Sequence, residues 1–81
     1  MTADARAMTL MLLARRAREA TICPSEVARA LAPGANWRAA MPVVHAAVDR
    51  LRDEGIIRLS WKGKPLATRS GPYRIGTASP D

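Results

Sequence analysis

The sequence predicts an α+β domain, mainly helical with a small β-hairpin: a winged helix-turn-helix of three helices and a two- or three-stranded wing. Three observations carry this reading. Between Ala35 and Glu54, the residues Trp37, Ala40, Met41, Val44, Ala47, Val48 and Leu51 fall on one face of a helix. Gly55 then ends the helix where a left-handed residue is usual. Immediately afterwards the period drops to two, with Ile57, Leu59 and Trp61 alternating with Arg58, Ser60 and Lys62 as in a half-buried strand.

The chain has 81 residues, enough for one domain with a thin core. Residues 1–76 are expected to form that domain, and residues 77–81 a polar, frayed tail. With no Phe and one Tyr, Trp37 and Trp61 are expected to supply most of the aromatic packing. The single cysteine, Cys23, has no internal disulfide partner and fits a reducing compartment. The apolar run from Met8 to Ala14 is too short for a membrane span and lacks a signal-peptide cleavage pattern. The expected location is therefore cytoplasmic, with no membrane partner.

Residues 2–20 read as the first helix, started by Thr2 or Asp4. Ala7, Leu10, Ala14 and Ala17 share its inward face, with Leu13 beside it. Met8, Met11 and Leu12 widen the apolar surface beyond one face. They serve either as additional core or as a homodimer surface. Ala20-Thr21-Ile22 leans toward a stub strand that pairs with the wing. Cys23-Pro24-Ser25-Glu26 opens the second helix, with Cys23 at the N-cap, Pro24 at the first position and Glu26 near the positive end of the dipole. Cys23 reads as a semi-buried structural thiol, because no His lies nearby in sequence to activate it. Val27, Ala28 and Leu31 point inward, and the helix ends near Ala32.

Pro33-Gly34-Ala35 marks a turn. Asn36 is the expected N-cap of the third helix. Pro42 interrupts that helix and splits it into one turn from Trp37 to Ala40 and a main helix from Pro42 to Glu54. Lys62-Gly63-Lys64-Pro65 forms a turn with a basic tip, Leu66 to Ser70 a loop, and Pro72 to Gly76 the return strand, with Tyr73 and Ile75 on one face and Arg58 and Arg74 on the other.

The segment Cys23-Pro24-Ser25-Glu26-Val27-Ala28-Arg29, followed by Trp37-Arg38, Met41-Pro42, Glu54-Gly55-Ile56-Ile57 and Lys62-Gly63-Lys64-Pro65, resembles a small bacterial domain family of unknown function. The resemblance runs from about Leu12 to Ile75 and implies a compact winged helix. It implies no activity. Where that family commonly has Gln before the Lys-Gly turn, this chain has Trp61.

The net charge is +6, with eleven of the thirteen basic residues Arg. Polyanions are natural partners of such a chain, although an Arg- and Ala-rich composition also follows from base composition alone. The distribution says more. Arg58, Lys62, Lys64, Arg69 and Arg74 stand against only Asp81 in the last third, whereas residues 42–55 are net acidic. An outward stripe of Arg38, His45, Asp49 and Arg52 on the third helix is a poor match for base edges, which favour Arg, Lys, Asn and Gln.

The expected function is accordingly DNA binding, mainly through backbone contacts from the wing and the start of the third helix. The candidate contact residues are Asn36, Arg38, His45, Arg52, Lys62, Lys64 and Arg69. The alternative is a protein-interaction or dimerisation module, with a homodimer through Met8, Met11 and Leu12. One His and one Cys on different helices, without clustered carboxylates or a glycine-rich phosphate loop, point away from catalysis, metals and cofactors.

Overall fold

A computed structural model describes residues 4–78. The start at Thr2 and the last three tail positions, 79–81, lie outside the described residues. The elements run α1 (Ala5–Ala14), β1 (Thr21–Ile22), α2 (Pro24–Leu31), a 3-10 helix (Gly34–Ala40), α3 (Met41–Asp53), β2 (Ile57–Trp61), β3 (Lys64–Leu66) and β4 (Arg74–Thr77). The strands form one antiparallel sheet in the order β1-β4-β2-β3. Three helices packed on one face of this sheet make a winged-helix-like α+β fold. The stub β1 pairs with β4 as expected, and the sheet has four strands rather than two or three because the turn closes over Lys62-Gly63 alone, so that Lys64, Pro65 and Leu66, expected in turn and loop, pair with β2 as β3.

The core is the meeting of the α3 stripe with one row of the sheet. Val44, Val48 and Leu51 are fully buried at the spacing of a helical face. Register aligns Ile22 with Ile75, Ile75 with Leu59 and Leu59 with Leu66, so one apolar row crosses all four strands. Its first three members are buried and Leu66 partly so. Val27 and Ala28 of α2 close the third side, with Leu31 partly buried beside them.

The first helix departs from expectation in both length and facing. It ends at Ala14, since tightening turns from Arg15 to Leu12 and Arg16 to Leu13 release the chain. Residues 15–20 favour helix by propensity, but Ile22 must reach the sheet edge, and pairing there overrides that preference. Its inward residues are Ala5, Thr9 and Leu13, while Ala7 and Ala14 face solvent. Thr9 disguised this stripe. Its hydroxyl donates to the Ala5 carbonyl at 2.7 Å, so a polar residue sits fully buried at no hydrogen-bonding cost. Met8 and Leu12 pack against the core, leaving only Met11 exposed in this set.

Asn36 is not an N-cap. The chain turns at Gly34, which takes φ +87°, and winds directly into the 3-10 helix that contains Asn36. Ala40 caps α3 instead, and Pro42 sits in its first turn, where a missing N–H costs nothing. Cys23 is the N-cap of α2, with its own N–H donating to Glu26 Oε2 at 2.8 Å.

The return strand begins at Arg74 and continues through Thr77, which pairs with Ile57; the Ala78 N–H then donates to the Ile56 carbonyl. The ordered ladder thus passes the expected boundary at Gly76. Trp61 departs from its half-buried expectation as well. Exposure along the inward side of β2 runs 3 % at Ile57, 1 % at Leu59 and 38 % at Trp61, so the strand outruns the core at its far end. Tyr73, at 4 %, is the aromatic side chain that the core encloses.

Candidate nucleic-acid interface

Helical spacing places His45, Asp49 and Arg52 on one side of α3, where the sequence predicted an outward stripe. The connection between β3 and β4 folds back over that side. The His45 Nδ1 and the Tyr73 hydroxyl share a hydrogen bond of 2.7 Å, with ring centroids 5.7 Å apart and tilted by 52°. Arg69 donates from Nε and Nη2 to both Asp49 oxygens at 3.0 Å. The Arg52 guanidinium donates to the Ala67 carbonyl from Nη1 and to Asp53 from Nη2. Three of the seven predicted contact residues, His45, Arg52 and Arg69, are therefore drawn into fixing the wing on α3.

The electrostatics follow from these partners. Arg69 holds the Asp49 carboxyl below its ordinary value, chiefly by its hydrogen bonds, and is itself raised by Asp49. Burial pushes the His45 imidazole down, with Arg69 adding to the effect and Asp49 opposing it. Burial also raises the Tyr73 phenol, which stays protonated at neutral pH.

The wing tip is different. Trp61 pairs with Lys64 across a two-residue turn, in which Lys62 takes φ 52° and Gly63 φ 80°. Two positive φ angles are the signature of a type I′ hairpin, whose twist matches that of the strands. Lys62 and Lys64 are exposed and, among the described residues, have no carboxylate partner. The other two predicted contacts, Asn36 and Arg38, lie exposed on the 3-10 helix.

Arg38 does not stand alone there. Its guanidinium carbon sits 4.4 Å from the centroid of the Trp37 ring, and that of Arg29 from α2 sits 4.5 Å from the same ring. Sequence reading missed Arg29. It is eight positions from Trp37, and only the turn between α2 and the 3-10 helix brings them together.

The acidic groups that counted against α3 are neutralised locally. Glu54 accepts a forked pair from Arg6 at 2.8 and 2.9 Å, tying α1 to the end of α3. Glu26 pairs with Arg16 at 2.6 Å, Asp53 with Arg52 and Asp49 with Arg69. Four of the thirteen cations are consumed this way, and nine have no carboxylate within ion-pair distance among the described residues.

Elsewhere, Asp4, Ala5, Arg6, Val43, Ala47 and Arg50 line a shallow groove of about 460 Å³ between α1 and α3. Among the described residues no group of three His, Cys, Asp or Glu side chains could hold a metal ion, and no helix is long and apolar enough to cross a membrane.

Three helices, a stub strand and an exposed basic hairpin make a winged-helix-like α+β domain. The chain belongs to the family described as protein of unknown function (DUF3253), whose model matches residues 2–78. No curated protein matches it.

Proposed function

We propose that this domain binds nucleic acid, most simply duplex DNA, through backbone contacts from the wing tip and the 3-10 helix. The observation that carries the reading is the division of charge: the carboxylates of α2 and α3 are occupied by arginines, while the wing lysines and Arg38 remain free to meet phosphates. Lys62, Lys64, Arg38 and Asn36 are the contact residues of this reading. Arg29 joins them by its place on Trp37. His45, Arg52 and Arg69 act as positioning residues for the wing. Because the stripe on α3 is engaged with the 67–73 connection, sequence discrimination by that helix is weak, and affinity comes from charge.

A second reading, docking of another protein, draws on the groove between α1 and α3, where Val43 is 58 % exposed. The dimer variant of it is left with Met11 alone, since Met8 and Leu12 are packed inward.

Fluorescence anisotropy of a labelled duplex of about 20 base pairs separates the two. Affinity should fall steeply with salt, with a log–log slope near −3 if about three cations meet phosphates. Lys62→Glu with Lys64→Glu should weaken binding at least tenfold and flatten that slope. Absence of binding at micromolar protein and low salt, or indifference to this double substitution, refutes the proposal.

A further inference from the structure

Only three large apolar side chains are exposed among the described residues: Met11, Val43 and Trp61. One of them, Trp61, stands at the tip of the basic hairpin, next to Lys62 in sequence and directly opposite Lys64 in register. The two tryptophans are treated differently by the fold. Trp37 is covered by the guanidinium groups of Arg29 and Arg38, whereas among the described residues no cation stacks on Trp61. An indole with 38 % of its surface open, with one unpaired ammonium group from the two-residue turn and another from the facing strand, has the makings of a base-stacking contact.

We propose that Trp61 is a stacking platform for an unpaired nucleobase, with Lys62 and Lys64 holding the adjacent phosphates. The ligand class is single-stranded nucleic acid or the frayed end of a duplex. The inference rests on the nucleic-acid reading above and deepens it. An indole face accepts any base, so the contact adds affinity with little sequence preference. Charge complementarity decides between a nucleic acid and an apolar protein partner for this indole. Lys62 and Lys64 favour a ligand that carries a phosphate beside each π-face, and a protein partner would have to place carboxylates against both.

The test compares single-stranded dT20 with a blunt duplex of the same length, by anisotropy at low salt, using the full chain. Trp61→Ala should weaken dT20 binding on the order of tenfold and duplex binding at most about twofold. Trp61→Tyr, which keeps a stacking ring, should recover most of the loss. Independently, in a Trp37→Phe chain, the remaining Trp61 emission should be quenched on adding dT20. If Trp61→Ala leaves dT20 binding intact while Lys62→Ala with Lys64→Ala weakens both ligands, the stacking inference fails and the electrostatic reading stands. If the unsubstituted chain binds neither ligand, both fail. Equal loss on duplex and single strand, or an unquenched indole, also overturns the stacking role.

Discussion

Arg69 and Asp49 meet as a two-pronged pair, Nε and Nη2 each 3.0 Å from a carboxylate oxygen, across twenty positions of chain. This pair ties the connection between β3 and β4 to α3. The connection between β3 and β4 has no sheet partner of its own over residues 67–73, and its hold on α3 comes from Arg69, from the Ala67 carbonyl on Arg52 and from Tyr73 on His45. A planar guanidinium suits this role better than an ammonium, because both donors are aimed in one plane.

The first prediction concerns that pair. Its side chains are 34 % and 38 % exposed, so solvent screens it, and Arg69→Ala should cost no more than about 1 kcal/mol in global stability. The local effect should be larger. Amide hydrogen exchange across residues 67–73 should speed up while that of Val44, Val48 and Leu51 stays unchanged. A double-mutant cycle with Asp49→Ala should show coupling, the double variant costing clearly less than the sum of the singles. Strict additivity would mean the pair does not hold the connection.

The second prediction is a pH dependence from His45. Its folded-state pKa is lowered from 6.5, first by burial and then by Arg69. The unfolded chain therefore takes up the proton at higher pH than the folded chain does. Stability is complete above about pH 6.5 and declines as pH falls through the lowered folded value. Asp49 and Glu54, lowered from 3.8 and 4.5 by their arginines, act the same way only in a more acidic window. Urea midpoints taken between about pH 7.5 and about pH 5.5 should fall in the unsubstituted chain and fall less in His45→Gln. An equal slope in both would assign the effect to another group.

Much of this fold could be read from the residues in order. Val44, Val48 and Leu51 betray α3 by spacing, Cys23-Pro24 marks the start of α2, and Lys62-Gly63 marks the hairpin. What escaped depends on long-range partners. The facing of α1 was hidden because Thr9 satisfies its hydroxyl within its own helix and is buried like an apolar residue. The end of α1 was hidden because strand pairing at Ile22 sets it. In the candidate site, Lys62 was legible as a turn residue and Lys64 as part of the basic tip, though Lys64 opens β3, whereas His45, Arg52 and Arg69 looked like free surface until the 67–73 connection was placed upon α3. Spacing along one element shows which side chains share a face. It does not show which other segment will cover that face.

The third prediction tests the joint between helix and wing. Gly55 takes φ +75° one residue past the cap of α3. Its N–H donates to the Arg52 carbonyl at 2.9 Å, and the Ile56 N–H reaches back to the Leu51 carbonyl at 3.0 Å, the paired bonds of a Schellman ending. A methyl group added at Gly55 would meet nothing within 4 Å, so crowding by neighbours is not the obstacle. The obstacle is the left-handed backbone, which costs an L-residue on the order of 1–2 kcal/mol. Gly55→Ala should lower stability by about that amount, and Gly55→Asn by less, because Asn tolerates this conformation better. Since Ile56 and Ile57 leave the same turn to enter β2, loosening of the turn should reach the ladder that aligns Leu59 with Ile75. Urea unfolding orders the three chains, and amide exchange at Leu59 and Ile75 reports on that ladder. A Gly55→Ala chain as stable as the parent would show that the turn is free to adopt another ending.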